Sequence, residues 1–156
     1  MSNTEQHTSL RLIVGLRRTA FATIAALLVE YGFGLFLFGT TPKSAHDAGL
    51  LAAFGATIAS GPAALIIHAI LGTAIVLGGA MSLVRAIQTR AARIITLNLI
   101  AAIAIVLAWL AGADTANDPM GPAGRVMGIT TGIAILAYAL VLFIAPKPNV
   151  SAAPAS

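Results

Sequence analysis

Four long apolar stretches alternate with short polar segments along the chain. A helix needs about 20 apolar residues to cross the hydrocarbon of a bilayer, and each stretch is long enough to do so. The pattern therefore predicts an all-α integral membrane four-helix bundle. The predicted spans are about 19–39, 62–84, 94–112 and 123–145.

The first connection, residues 40–61, contains an amphipathic pattern too short to span a membrane. Apolar residues recur there at helical spacing on one face, which predicts a short interfacial helix lying on the membrane surface. Ser44 and Asp47 resemble a capping box for its start, and Gly61 followed by Pro62 predicts a stop and a fresh helix start. The apolar face consists of Leu50, Leu51, Phe54 and Ile58.

The spans divide the chain into three segments. Residues 1–18 form a polar and basic N-terminal segment, of which 1–9 are expected to be mobile. The bundle occupies 19–145, and its third span is expected to end at Gly112, before a short acidic loop. Residues 146–156 lack apolar content and are expected to form a disordered tail.

Composition narrows the class of protein. The chain is 58% hydrophobic and 9% charged, with a mean hydropathy of +0.94, well away from an average soluble domain. The net charge of +4 does not indicate nucleic-acid binding, because the few basic residues sit beside apolar segments. No phosphate-binding glycine loop, nucleophile elbow or H-E-x-x-H motif occurs, which argues against a hydrolase and leaves enzyme activity open.

The distribution of Lys and Arg predicts the orientation of the bundle. Seven lie on the side of the two termini and two on the other side, so the positive-inside rule places both termini in the cytoplasm. The Arg- and Ala-rich usage is typical of a high-GC bacterial genome, which predicts a bacterial inner membrane. The seven are Arg11, Arg17, Arg18, Arg85, Arg90, Arg93 and Lys147, and the two are Lys43 and Arg125.

Two ionisable residues lie within predicted spans, Glu30 in the first and His68 in the second. Such groups are costly in hydrocarbon, so a functional role is the starting hypothesis for both. Their depths differ by only about 4–5 Å at 1.5 Å of rise per residue, so the two side chains can meet on adjacent antiparallel helices. A carboxylate beside an imidazole would also fix its tautomer, as it does for ligating histidines.

The neighbours of His68 suggest space beside the imidazole. Ala64 and Gly72 lie four residues on either side, so one helix face presents a histidine between two small side chains. That space would admit either a close helix backbone or a flat ligand such as a haem bound through the histidine nitrogen. Met127 lies at a similar depth and is the candidate second axial ligand, with His46 as its competitor.

Glu30 and the segment HAILG, from His68 to Gly72, resemble the corresponding positions of small four-helix bacterial membrane proteins. The chain is also distantly similar to the four-helix haem-binding halves of haem A synthase. The resemblance implies a haem b bound at His68. Those halves carry paired histidines, whereas the fourth span here has none, so a dimer, Met127 or five-coordination would have to complete the site.

Several functional hypotheses stay open. The first is a b-type haem-binding or quinone-linked redox protein that uses His68 with Glu30. The second is a non-catalytic subunit, either a homo-oligomer or part of a larger membrane complex, in which the same pair only orients helices. The third is proton-coupled transport. The ladder formed by Gly124, Gly128 and Gly132 permits close helix contact and suits assembly.

Overall fold

The computed structural model describes residues 3–37 and 41–146, with side chains from residue 11 onward. Every regular element in these ranges is helical, and four helices are long and apolar enough to cross a membrane. The predicted fold class is therefore confirmed. The elements are α1 (Asn3–Phe36), a 3-10 turn (Lys43–Ala45), α2 (Leu50–Ser60), α3 (Ala63–Gln88), α4 (Ala92–Asn117) and α5 (Ala123–Ile144).

The four long helices form a ring in the order α1, α3, α4, α5, with each helix packed on its two neighbours. The most extensive contact joins α4 and α5. Short connections make α3, α4 and α5 successively antiparallel. The first residues of α1 and the last residues of α5 therefore lie at the same end of the bundle. The short helix α2 packs against α4 and α3 at the end of the bundle opposite the termini, which we call the outer end, the end of the termini being the inner end.

Two helix boundaries differ from the sequence prediction. α1 already begins at Asn3, so it runs through most of the segment expected to be mobile, and no proline interrupts it before Phe36. Further along the same helix, Leu16 and Ala20 are fully buried, so tertiary packing supports α1 from there onward. Of the predicted tail 146–156, all but Pro146 lies outside the described residues.

α4 continues to Asn117 instead of ending at Gly112. The reason is that its last turn is held by the connection between α1 and α2. The backbone N–H of Asp47 donates to the carbonyl of Asn117 at 3.1 Å, and that of Gly49 donates to Asn117 Oδ1 at 2.9 Å. Asp114 therefore lies on a helix and not in the predicted acidic loop.

The short helix α2 is confirmed, but its start and its apolar face differ from expectation. Gly49 is its N-cap, at φ +83°, and no side chain caps the helix, so the predicted capping box is wrong. Ser44 Oγ instead lies 3.2 Å from Ser60 Oγ. Phe54 belongs to the predicted membrane-facing side, yet its ring packs inward on Trp109, with 5.2 Å between centroids.

A buried polar contact joins α3 and α4 in the inner half of the bundle, beside Tyr138 of α5. Ser82 Oγ donates to Asn98 Oδ1 at 2.7 Å, and Asn98 Nδ2 donates to the carbonyl of Ile94 at 2.9 Å. Tyr138 is fully buried in the same core. Interhelical hydrogen bonds of this kind contribute about 0.6 kcal/mol each within membranes. Asn98 thus makes one hydrogen bond between helices and one within α4.

Two arginines lock the inner ends of the helices. Arg17 Nη1 donates to the carbonyls of Leu142 and Ala145 at 2.8 and 3.0 Å, so it satisfies the C-terminal end of α5, where a cation also suits the helix dipole. Arg85 donates to the Thr19 hydroxyl and to the carbonyl of Gly15. These hydrogen bonds join the helices in the inner half of the bundle, whereas a cavity remains in the outer half.

Candidate ligand-binding cavity

A cavity of about 630 Å³ lies in the outer half of the bundle, between all four long helices and beneath α2. Its volume falls in the range of small-molecule and cofactor sites, which are mostly apolar with a few placed polar groups. Glu30, His68 and Met127 all line it, as does Gly72. The structure thus gathers four of the five predicted site residues around one space.

The predicted proximity of Glu30 and His68 is confirmed. Nδ1 of His68 lies 3.0 Å from Oε1 of Glu30, and the two side chains are 16% and 14% exposed. The distance is that of an ion pair, although the angles do not meet hydrogen-bond geometry. Oε2 of Glu30 is buried and has no partner among the described residues, so this carboxyl retains an unused oxygen.

The carboxyl group of Glu30 sits directly on Gly72. A Cβ atom at this position would lie 2.9 Å from Glu30 Oε1 and 3.8 Å from Trp109 Cδ1. The space predicted beside the imidazole at Gly72 is therefore taken by the carboxyl of Glu30. Glycine here allows α1 and α3 to approach with the acid between them.

Ala64 does not belong to the cavity. It is exposed on α3, and Leu65 and Ala69 form the wall beside His68 instead. Positions 65, 68, 69, 72 and 75 share one helical face, because residues three and four apart lie above one another. The predicted face, with His68 between Ala64 and Gly72, therefore differs from the observed one by a rotation of part of a turn about the helix axis, which leaves Ala64 on the exposed side.

Met127 approaches His68 across the cavity. Its Cε lies 3.6 Å from the Cβ position of Gly34, and His68 Cε1 lies 3.8 Å from the same point. Neither ring nitrogen of His68 has a hydrogen-bond partner among the described residues; Nδ1 is buried against Glu30, so Nε2 is the nitrogen left for a ligand. His46, the competing candidate, is exposed and contacts Thr41 Oγ1 through its Nε2 at 3.1 Å.

Sequence reasoning missed Trp109 as a site residue. A tryptophan near a helix end is typical of an interfacial anchor, yet Trp109 lines the cavity and donates from Nε1 to Thr73 Oγ1 at 3.1 Å. The signal was available in the depth of Trp109, which matches that of Thr73 on the neighbouring helix. Phe54 packs on the ring from above, so an aromatic pair forms part of the wall beneath α2.

Substituting Gly72 should disturb the acid–histidine pair. The change Gly72→Ala places a methyl group against Glu30 Oε1 and should force the carboxyl away from His68, which lowers the thermal unfolding temperature in detergent. The matched control is Gly78→Ala, on the same helix, where a Cβ meets Thr23 Oγ1 at 3.9 Å and is accommodated. Alanine stabilises a helix by about 1 kcal/mol relative to glycine, so both variants gain this contribution. Equal unfolding temperatures of Gly72→Ala and Gly78→Ala would therefore contradict the close contact between Gly72 and Glu30.

No family model, curated protein or solved structure matches this chain. The resemblance to four-helix bacterial membrane proteins and to the halves of haem A synthase therefore stays a prediction. What the cavity binds is inferred below from its own walls: an acid–histidine pair, an aromatic pair, a thioether and aliphatic side chains.

Proposed function

We propose that this protein is a quinone-linked redox protein that binds a quinone-class head group in the outer cavity. The observation that carries the proposal is the position of His68, whose Nε2 is free in a mostly apolar cavity while its Nδ1 faces a carboxyl group. Quinone rings are flat and carry carbonyl oxygens, which accept hydrogen bonds from an imidazole N–H. The aromatic rings of Trp109 and Phe54 suit a flat partner.

The pair also supplies proton chemistry appropriate to a quinone. Reduction of a quinone to a quinol takes up two electrons, which a reductant outside this chain would supply, and one proton on each carbonyl oxygen, so a proton donor beside the oxygen is required. When the carboxyl of Glu30 carries the proton that faces His68 Nδ1, the imidazole keeps its own proton on Nε2, which would then donate to the quinone oxygen. The unused Oε2 of Glu30 gives the pair a place to receive the next proton.

Loss of the imidazole should weaken quinone binding. Trp109 is the sole tryptophan of the chain and lines the cavity, so quenching of its fluorescence by decylubiquinone reports occupancy. In His68→Ala we expect about tenfold weaker binding, because one hydrogen bond of about 1.4 kcal/mol is lost.

The matched control is His46→Ala, which removes an exposed histidine outside the cavity and should leave the affinity unchanged. Equal affinity in wild type and His68→Ala would contradict the assignment of His68. Absence of quenching in the wild-type protein would exclude the quinone itself.

A haem b is the second candidate occupant, and the observation that favours it is the thioether of Met127 in the same cavity as His68. No three His, Cys, Asp or Glu side chains come together in the described parts of the chain, but a porphyrin-bound iron needs only axial ligands. Nε2 of His68 and Sδ of Met127 would supply them, with Glu30 orienting the imidazole.

An absorption spectrum separates the two occupants. Protein supplied with haem should show a Soret band that shifts on dithionite reduction if iron is bound, and the band should be lost in His68→Ala. The change Met127→Leu keeps the volume and should convert a six-coordinate spectrum to a five-coordinate one. A protein that binds neither quinone nor haem would favour the assembly hypothesis, for which the exposed Gly132 on α5 offers a close-contact position.

The orientation proposed for the protein places both termini in the cytoplasm of a bacterium and the cavity in the outer half of the inner membrane. The support is the excess of Lys and Arg on the side of the termini. The cavity and α2 then face the periplasmic side.

Because the chain has no cysteine, single-cysteine variants test this orientation directly. Met120→Cys, at an exposed position between α4 and α5, should react with a membrane-impermeant maleimide in intact cells with a permeabilised outer membrane. Gln88→Cys, at the exposed last residue of α3, should react only after the inner membrane is opened. The reverse labelling pattern would invert the orientation.

A further inference from the structure

The walls of the cavity are unequally exposed. Every lining residue on α3 and α4 is buried or of intermediate exposure, whereas exposed lining residues occur on α1 and α5 alone among the described residues. Leu35 and Ile129 are each 65% exposed and Tyr31 is 44% exposed. The cavity therefore opens sideways through the seam between α1 and α5. The exposed lining residues are Tyr31, Leu35, Arg125 and Ile129.

Helix α2 covers the outer face of the cavity on the side of α3 and α4. Its residues Ala53 and Thr57 are buried, and Phe54 packs on Trp109. The connection before α2 is bound to the end of α4 through Asn117. A ligand would thus meet α2 above α3 and α4, and exposed cavity walls along α1 and α5.

The edges of the seam lie at different depths. On α5, Arg125 stands in the first turn, at the outer end, where its guanidinium can reach lipid headgroups. Tyr31 lies about 7–8 Å further into the membrane than the end of α1, and its ring approaches the Cβ position of Gly128 at 3.8 Å. Leu35 lies one residue from the outer end of α1, and Ile129, one residue beyond Gly128, lies slightly deeper than Tyr31.

We propose that this seam is a lateral portal, through which the ligand enters from the outer leaflet and in which its hydrocarbon tail remains. The inference rests on the proposed quinone function for the identity of the head group, and it names the substrate class as quinones with an isoprenoid or alkyl tail. The head group sits at His68, and the tail passes between Leu35 and Ile129 into the bilayer.

Two glycines on α5 give a matched test. Gly128 lines the cavity beside Tyr31, whereas Gly132 is exposed and has nothing within 4 Å of its Cβ position. Binding of decylubiquinone and of tail-free ubiquinone-0 is measured by Trp109 quenching in phospholipid nanodiscs. Gly128→Leu should weaken binding of the tailed quinone at least fivefold more than that of the tail-free one, and Gly132→Leu should change neither by more than twofold.

An equal loss for both quinones in Gly128→Leu would overturn the portal, because it would mean that the leucine only fills the head-group site. Unchanged binding of the tailed quinone would overturn it as well. Ile129→Ala, which widens the seam, should speed association of the tailed quinone and provides a second variant if Gly128→Leu does not fold.

A probe without a quinone separates failure of the portal from failure of the proposed function. In nanodiscs made with phospholipid brominated along its acyl chains, an open seam lets bromine reach Trp109 and quench it. Gly128→Leu should reduce this quenching and Gly132→Leu should not. Identical quenching in the two variants overturns the portal, whereas the expected difference together with no quinone binding leaves the portal standing and overturns the quinone assignment.

Discussion

The structure depends on how one carboxyl group is accommodated inside a membrane-spanning helix. Glu30 is flanked by apolar residues on α1, and hydrocarbon offers it no partner. At the same depth, α3 places the imidazole of His68 3.0 Å from this carboxyl group. It also has a glycine there, Gly72, which leaves space for the carboxyl group against the helix. The separation of α1 and α3 in the outer half is therefore set by an acid that must fit between them.

The inner and outer halves of the bundle solve different problems. In the inner half, small residues on α3 allow close packing, and the Ser82–Asn98 hydrogen bond and the arginine contacts satisfy polar groups within the protein. Gly79 shows how close the helices are, because a Cβ there would lie 3.1 Å from Ile105 Cδ1. This closed half holds the helices in position while the outer half leaves room for a ligand.

Hydropathy and charge predicted the spans, and depth predicted the contact of Glu30 with His68, because these follow from distance along a helix. The rotation of each helix about its axis was less accessible. Ala64 and Leu65 are adjacent in the sequence, and only packing against neighbouring helices decides which of the two faces inward. Trp109 was missed for a related reason: an indole near a helix end suits the interface equally well until α2 is known to cover it.

Several threonine side chains line the cavity but offer a ligand no free hydrogen-bond donor. Thr57, Thr115 and Thr131 line the cavity, yet each hydroxyl donates to the carbonyl four residues earlier in its own helix, at 2.8–2.9 Å. These donors are already used, so the walls they form act as apolar surface towards a ligand. Trp109 Nε1 is likewise bound to Thr73. Among the lining polar side chains that are not exposed, hydrogen-bonding capacity towards a ligand is therefore concentrated at His68 and the unpartnered Oε2 of Glu30.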